Sequence, residues 1–192
     1  MLIAFAMPVF SALFAIYMPD VEPSFNYIVA GIYIANFVIF IMMLAIFKKK
    51  KRQNAVKLTL LFNMLTFCLF FTFPFVKAFM GNLLMQILLI LVFLCLLALA
   101  VYDQKQEVPL VFPDSDKEHR KFAFVFYAIP VVTVVLGGGG NIIIVRWLSD
   151  FFGYGFVTYW GGGVLYIMGC WFAFFFQSLF YQGLVKKGVL VK

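Results

Sequence analysis

Charged side chains are scarce in this sequence: they make up 12% of the residues, about half the share found in an average soluble domain. Histidine occurs only once, which excludes a metal centre built from several imidazoles. The zinc-protease, serine-hydrolase and P-loop motifs are all absent. We therefore expect a protein that is not an enzyme and that binds neither a metal ion nor another cofactor.

Cysteines and glutamates support two further exclusions. The cysteines, Cys68, Cys95 and Cys170, are far apart in apolar runs, so they form no C-x-x-C redox or zinc motif. We expect them to be buried as small apolar side chains. Every glutamate lies in a predicted loop, which argues against an intramembrane glutamate protease or a carboxylate proton relay at bilayer depth.

Apolar residues are abundant, at 65% against about 45–50% in an average protein. The run Tyr27–Phe47 has 21 residues and would rise about 31 Å as a helix, which is enough to cross a bilayer. The sequence therefore predicts an all-α integral membrane protein, a single domain built as a polytopic bundle of about six transmembrane helices. The predicted spans are residues 2–17, 27–47, 58–80, 83–102, 122–140 and 159–184.

The cations predict an orientation, because lysine and arginine in short loops mark the cytoplasmic side of a membrane. With loops 48–57 and 103–121 and both termini inside, 13 of the 15 cations are cytoplasmic. We therefore predict an N-in/C-in topology in a cell membrane. The cationic side chains are expected to contact the lipid bilayer and not nucleic acid. The Phe-, Ile- and Lys-rich composition favours a bacterial cytoplasmic membrane. The strongest topology signal is the cluster Lys48, Lys49, Lys50, Lys51 and Arg52.

Two segments are open to more than one interpretation. The first run, residues 2–17, is favoured as a retained helix over a cleaved signal peptide, because no cation precedes it. Residues 141–158 predict a short helix that lies in the outer interface or re-enters the membrane between the last two spans. Within this segment, Arg146 and Asp150 would share one helical face, either as a surface ion pair or as part of a gate over an outward-facing cavity.

Lys77 is the most unusual polar residue, because it lies near the end of an apolar run. Its ammonium would either snorkel to the outer interface or contact an anionic ligand in an outward-facing cavity. Amides within the spans, among them Asn36 and Asn63, are expected to hydrogen-bond between helices, with a polar ligand site as the alternative. The speculative ligand-binding set is Lys77, Arg146, Asp150, Gln86 and Gln177.

Small residues suggest where helices approach one another closely. Ser11 and Ala15 are four apart, as are Gly31 and Ala35, and this spacing favours helix contacts within the bundle or with a membrane partner. Glycines also flank the segment 141–158, where they would permit either hinge motion or close packing. The predicted hinge residues are Gly137, Gly140, Gly161 and Gly163.

Two functions fit these features. The first is a non-catalytic partner, accessory or immunity-type subunit of a membrane complex, bound to another membrane protein or to further copies of itself. The second is a small solute-binding or transport protein. Six spans in 192 residues, with the Ser11/Ala15 pair on the first helix, resemble in architecture the substrate-binding subunits of energy-coupling-factor vitamin transporters. That resemblance implies solute binding within the bundle and docking of a partner through the first helix.

Overall fold

The structure, a computed structural model, describes residues 2–17, 24–46, 49–106, 109–111, 123–137 and 142–185. These residues are helical or in short turns, and no strand occurs among them, which confirms the all-α prediction. The described helices are α1 (Leu2–Tyr17), α2 (Ser24–Ile46), α3 (Lys49–Ala78), α4 (Leu83–Lys105), α5 (Ala123–Leu136), α6 (Ile142–Phe152) and α7 (Tyr154–Val185).

Three helices are long and apolar enough to cross a membrane: Val56–Ala78 within α3, Leu83–Lys105, which is α4, and Tyr154–Gln182 within α7. Their lengths of 23, 23 and 29 residues exceed the roughly 20 residues that a span requires. These helices agree with a membrane location. Shorter apolar helical segments occupy Pro8–Tyr17, Asn26–Met42 and Ala123–Leu136.

The structure places two helix boundaries differently from the sequence prediction. Residues 49–57, predicted as a cytoplasmic loop, form the first turns of α3. Lysine, arginine and glutamine are good helix formers, and no glycine or proline interrupts this stretch. The last helix begins at Tyr154 and not at residue 159, so the predicted segment 141–158 divides into α6 and the start of α7.

α3 is the central helix of the described bundle. It packs against α1 and α2 on one side and against α7 and α4 on another, and its contact with α7 is the most extensive between any two described helices. One apolar cluster joins α3, α4 and α7 through Cys68, Val76, Leu89, Phe93, Tyr166, Cys170 and Ala173. A smaller cluster joins α1, α2 and α3 through Ala12, Ala15, Val29 and Phe70.

Two glycines of α7 allow its close approach to α3. A Cβ atom at Gly169 would lie 2.8 Å from the Cys68 carbonyl oxygen and 2.9 Å from Cγ2 of Thr72. A Cβ atom at Gly162 would lie 3.2 Å from Cα of Phe75. The two glycines are seven residues apart, so they lie on the same face of α7 and admit the α3 backbone.

The remaining described helices are more peripheral. Among the described helices, the backbones of α5 and α6 approach that of α7 alone, and the backbones of α4 and α5 do not come close to each other. The short linker between α6 and α7 is Gly153, whose φ of 86° is a conformation that glycine adopts without steric cost. Gly81, with φ of 92°, has the same role in the turn between α3 and α4.

Several predictions concern residues outside the described part of the chain. They include the topology residue Lys48, the hinge residue Gly140, most of loop 103–121, and the cationic tail from residue 186 onward. Lys49, Lys50, Lys51 and Arg52 lie at the start of α3.

Candidate functional site

Lys77 has a specific internal partner that neither sequence interpretation included. Its side chain is fully buried, and its ammonium donates hydrogen bonds to the carbonyl oxygens of Ala15 at 2.9 Å and Ile16 at 3.0 Å. These carbonyls belong to the last turn of α1, where backbone acceptors lack intrahelical partners and the helix dipole is negative. Lys77 therefore caps the C-terminus of α1 from α3, and it does not extend to an interface.

Gln86 also bonds to backbone near this cap. Its Nε2 donates to the carbonyl oxygen of Val76 at 3.3 Å, which links the first turn of α4 to the last turns of α3. Val76 directly precedes Lys77, so two members of the predicted ligand set lie close together. Both side chains nevertheless donate these hydrogen bonds to backbone carbonyls, which favours a structural role for the pair.

A second polar cluster links α2 to α3. Nδ2 of Asn36 donates to Oδ1 of Asn63 at 2.9 Å and to Oγ1 of Thr66 at 3.0 Å. Thr66 in turn donates to the carbonyl oxygen of Phe62 at 2.8 Å. All three residues of the cluster are buried, which confirms the predicted hydrogen bonding of amides between helices for Asn36 and Asn63.

The predicted ion pair on α6 is absent. Arg146 and Asp150 are both exposed, and within the described helix they form no salt bridge with each other. α6 is amphipathic and packs against α7 alone among the described helices, so its two charges point away from the bundle. Arg146 and Asp150 are thus separated from the buried Lys77.

Gln177 completes the predicted ligand set and lies apart from the others, on α7. Its buried Oε1 finds no hydrogen-bond partner among the described residues, and neither does the adjacent Ser178 hydroxyl. The five predicted ligand residues are therefore distributed over four helices. The structure does not assemble them into one polar site.

The two pairs of small residues differ in their surroundings. Ser11 and Ala15 are fully buried where α1 packs within the bundle, so this pair serves contacts inside the chain. Gly31 and Ala35 are exposed on α2, and a Cβ atom at Gly31 would meet nothing within 4 Å. Only the α2 pair leaves a shallow notch on the outside of the described bundle.

The predicted hinge residues that the structure describes, Gly137, Gly161 and Gly163, do not coincide with the observed break between α6 and α7. Gly161 and Gly163 lie inside the continuous helix α7, while the chain breaks at Gly153. Gly137 follows α5, where an added Cβ atom would come within 3.0 Å of the Val164 side chain. Gly137 therefore permits close packing, and the glycine between the aromatic neighbours Phe152 and Tyr154 was the missed signal for the bend.

Exposed aromatic side chains surround this bend. Trp147 stacks on Phe151, with ring centroids 5.7 Å apart, and Phe156 stacks on Trp160 at 6.0 Å. Trp147 and Trp160 are exposed, as membrane-interface aromatics commonly are. The amphipathic α6 and these rings are compatible with the predicted interfacial helix.

An apolar slot lies between α4, α5 and α7. Its volume is about 330 Å³. Leu110 lines it from the segment after α4, where its backbone N–H donates to both carboxylate oxygens of Asp103 at 2.9 and 3.0 Å. The other lining residues are Val92, Leu96, Phe126, Ile129, Tyr166, Ile167, Cys170, Trp171 and Phe174.

The cysteines have three different environments. Cys68 is buried in the α3–α7 contact, and Cys170 is buried beside the slot. Cys95 is exposed on α4, so the expectation that all three are buried is wrong for this residue. An exposed thiol costs little on a lipid-facing surface, because cysteine behaves as a small apolar side chain.

No metal site is evident in the described part of the chain, where no three His, Cys, Asp or Glu side chains lie close enough to bind one ion. Comparisons with protein-family models, curated proteins and solved structures gave no match for this chain.

Proposed function

We propose that this protein is a non-catalytic subunit of a membrane complex, of the partner, accessory or immunity type, and that it binds another membrane protein through α2. The observation that carries the proposal is the exposed notch at Gly31 and Ala35. Lipid chains cover most exposed apolar side chains of membrane helices, so exposure alone does not indicate a partner. A notch of small residues lets the backbone of a second helix approach closely, whereas lipid chains pack on a membrane helix without such a notch.

The packing of α2 supports this choice of face. Among the described helices α2 contacts only α1 and α3, and most of its exposed large side chains are aliphatic or aromatic. Asn36 anchors the inner side of α2 to α3 through its amide hydrogen bonds. The outer side is thereby held in a fixed orientation, which lowers the entropic cost of binding a partner. Its exposed large side chains include Ile28, Ile34, Val38 and Met42.

The test is isolation of the tagged protein from its native host in mild detergent, followed by identification of bound proteins. The double variant Gly31→Leu/Ala35→Leu fills the notch and should lose a stoichiometric partner that the unaltered protein retains. The matched control is Ala98→Leu/Gly155→Leu, which places the same two substitutions at exposed positions on α4 and α7. Loss of the partner in the control as well, or its retention in the α2 variant, contradicts the proposed face.

The proposal includes the predicted topology of six passes with both termini in the cytoplasm of a bacterial cell. The cationic start of α3 and the three long apolar helices support it. α1, with 16 residues, is about 24 Å long, so it would match the bilayer by local thinning. Labelling of single cysteines placed at residues 50 and 106 by a membrane-impermeant reagent should require permeabilised cells; labelling of intact cells at either residue would refute this topology.

Solute binding of the vitamin-transporter kind has less support from the geometry. Lys77 and Gln86 are engaged with backbone carbonyls, while Arg146 and Asp150 lie on the outer surface of α6. Ser11 and Ala15, the pair on which that resemblance depends, are buried within the bundle. If a polar solute raised the unfolding temperature of the protein, and if Lys77→Ala abolished this increase, the result would favour solute binding.

A further inference from the structure

The apolar slot between α4, α5 and α7 has no role in the proposed partner binding. We propose that it is a binding site for one acyl chain of a bilayer lipid. Its volume of about 330 Å³ lies at the lower end of the range of ligand pockets, which is roughly 300–1,000 Å³. A space of this size exceeds the small voids of a close-packed protein interior, so it is large enough to take a ligand.

The chemistry of the slot selects a hydrocarbon. The described residues that line it present no polar surface to the space. The two side chains on its wall that carry strong donors are already satisfied: the Tyr166 hydroxyl donates to the Leu89 carbonyl oxygen at 2.6 Å, and the Trp171 indole N–H donates to the Phe126 carbonyl oxygen at 2.8 Å. A ligand with polar groups at this depth would lose its water contacts without replacement.

The arrangement of the helices gives the slot an opening towards lipid. α4 and α5 both pack on α7, and their own backbones do not approach each other closely, so no close backbone contact closes the space between them. Val92 and Ile167, on the slot wall, are 41% and 49% exposed, which places them at its rim. Val92 and Ile167 lie near the middles of α4 and of the apolar part of α7, the two helices here that are long enough to span a membrane, so a bilayer around these helices would place its lipid chains at the rim.

Filling the slot is energetically favoured. A hydrocarbon chain in the slot would make dispersion contacts with its apolar walls, and apolar cavities in proteins take up apolar molecules in preference to water. Lipid chains are the apolar molecules that surround this rim. The Asp103 carboxylate holds Leu110 in place through its backbone N–H, so the wall after α4 is fixed before a chain enters.

The test uses the fluorescence of Trp171, which lines the slot, in the full-length variant Trp147→Phe/Trp160→Phe. The protein is reconstituted in vesicles of phosphatidylcholine brominated on its acyl chains, and bromine quenches a tryptophan that it contacts. Val92→Phe, added to this variant, places a larger side chain at the rim of the slot and thereby reduces the space for a lipid chain. Leu91→Phe is the matched control, because Leu91 is exposed on the same helix and does not line the slot.

We expect strong quenching of Trp171 in the parent and in the Leu91→Phe control, and loss of most of it in Val92→Phe. Native mass spectrometry of the detergent-purified proteins should show one retained lipid in the first two and none in the third. Circular dichroism verifies that each variant is folded. Equal quenching and equal lipid retention in Val92→Phe and Leu91→Phe would overturn the proposal. Partner co-purification should be unaffected by Val92→Phe, so the two proposals fail independently.

Discussion

The two sides of α3 are held to their neighbours by different means. Towards α7 the contact is close and apolar, because Gly162 and Gly169 admit the α3 backbone. Towards α1 and α2 a smaller apolar cluster is supplemented by hydrogen bonds, from Lys77 to the end of α1 and between Asn36 and the polar groups of α3. The first side should therefore be most sensitive to added volume and the second to the loss of a hydrogen-bonding group.

This difference matters because helices in a bilayer gain little from the hydrophobic effect when they associate. Van der Waals packing and interhelical hydrogen bonds are the remaining contributions. A glycine contact brings many atoms within reach of each other, each pair contributing only about 0.1–0.2 kcal/mol. A buried hydrogen bond contributes less free energy in total than such a contact, but it fixes the orientation of the helix that it joins. In this protein the hydrogen bonds of Asn36 orient α2, the helix with the proposed partner face.

The largest effect is expected on the α7 side, from Gly169→Leu. A side chain there collides with the Cys68 carbonyl oxygen, so the two helices must separate. We expect the free energy of unfolding, measured in mixed micelles, to fall by about 3 kcal/mol, the upper end of the usual cost of overpacking. Gly161→Leu is the control, because an added Cβ atom at Gly161 meets nothing within 4 Å. Similar losses in both variants would show that the α3–α7 contact is not close at Gly169.

An intermediate effect is expected from Lys77→Met, which keeps the length of the side chain but removes the ammonium. The carbonyl oxygens of Ala15 and Ile16 lose this donor while buried, so unfolding free energy should fall by about 1–3 kcal/mol. Lys57→Met, at a partly exposed position of the same helix, should change it by no more than about 0.5 kcal/mol. Equal effects of the two substitutions would be incompatible with a cap on α1.

The smallest effect is expected at the link between α2 and α3. A double-mutant cycle of Asn36→Leu and Asn63→Leu should give a coupling energy of about 0.6 kcal/mol, and at most about 1.7 kcal/mol, as is usual for hydrogen bonds in membranes. The measurement is again unfolding in mixed micelles. A coupling energy near zero would mean that the 2.9 Å contact does not stabilise the bundle.

The sequence predicts the helices well because long apolar runs have few alternatives in a bilayer. It predicts the start of α3 poorly, since the cations that indicate topology also form helix readily. The spacing of Gly162 and Gly169 was a usable signal for packing, because seven residues return to the same helical face.

The partners of the polar residues could not be predicted in the same way. Lys77 is 62 residues away from Ala15, and no local pattern links the two. Ser11/Ala15 and Gly31/Ala35 share one spacing, and only the tertiary arrangement shows that the first pair is internal and the second exposed. The same holds for the apolar slot, which lies where α4 and α5 pack on α7 without a close approach of their own backbones.

The most direct test of the account is photo-crosslinking in native membranes from a photoreactive residue placed at Ala35, with the same residue at Ala98 as the control. We predict one discrete adduct from residue 35, containing another membrane protein, and only lipid adducts from residue 98. An adduct with a second copy of this chain would show that α2 binds another copy of the same protein, so the complex would be a homo-oligomer and not a hetero-complex. Only lipid adducts at both residues, or the same protein adduct from each, would contradict the assignment of α2 as the partner face.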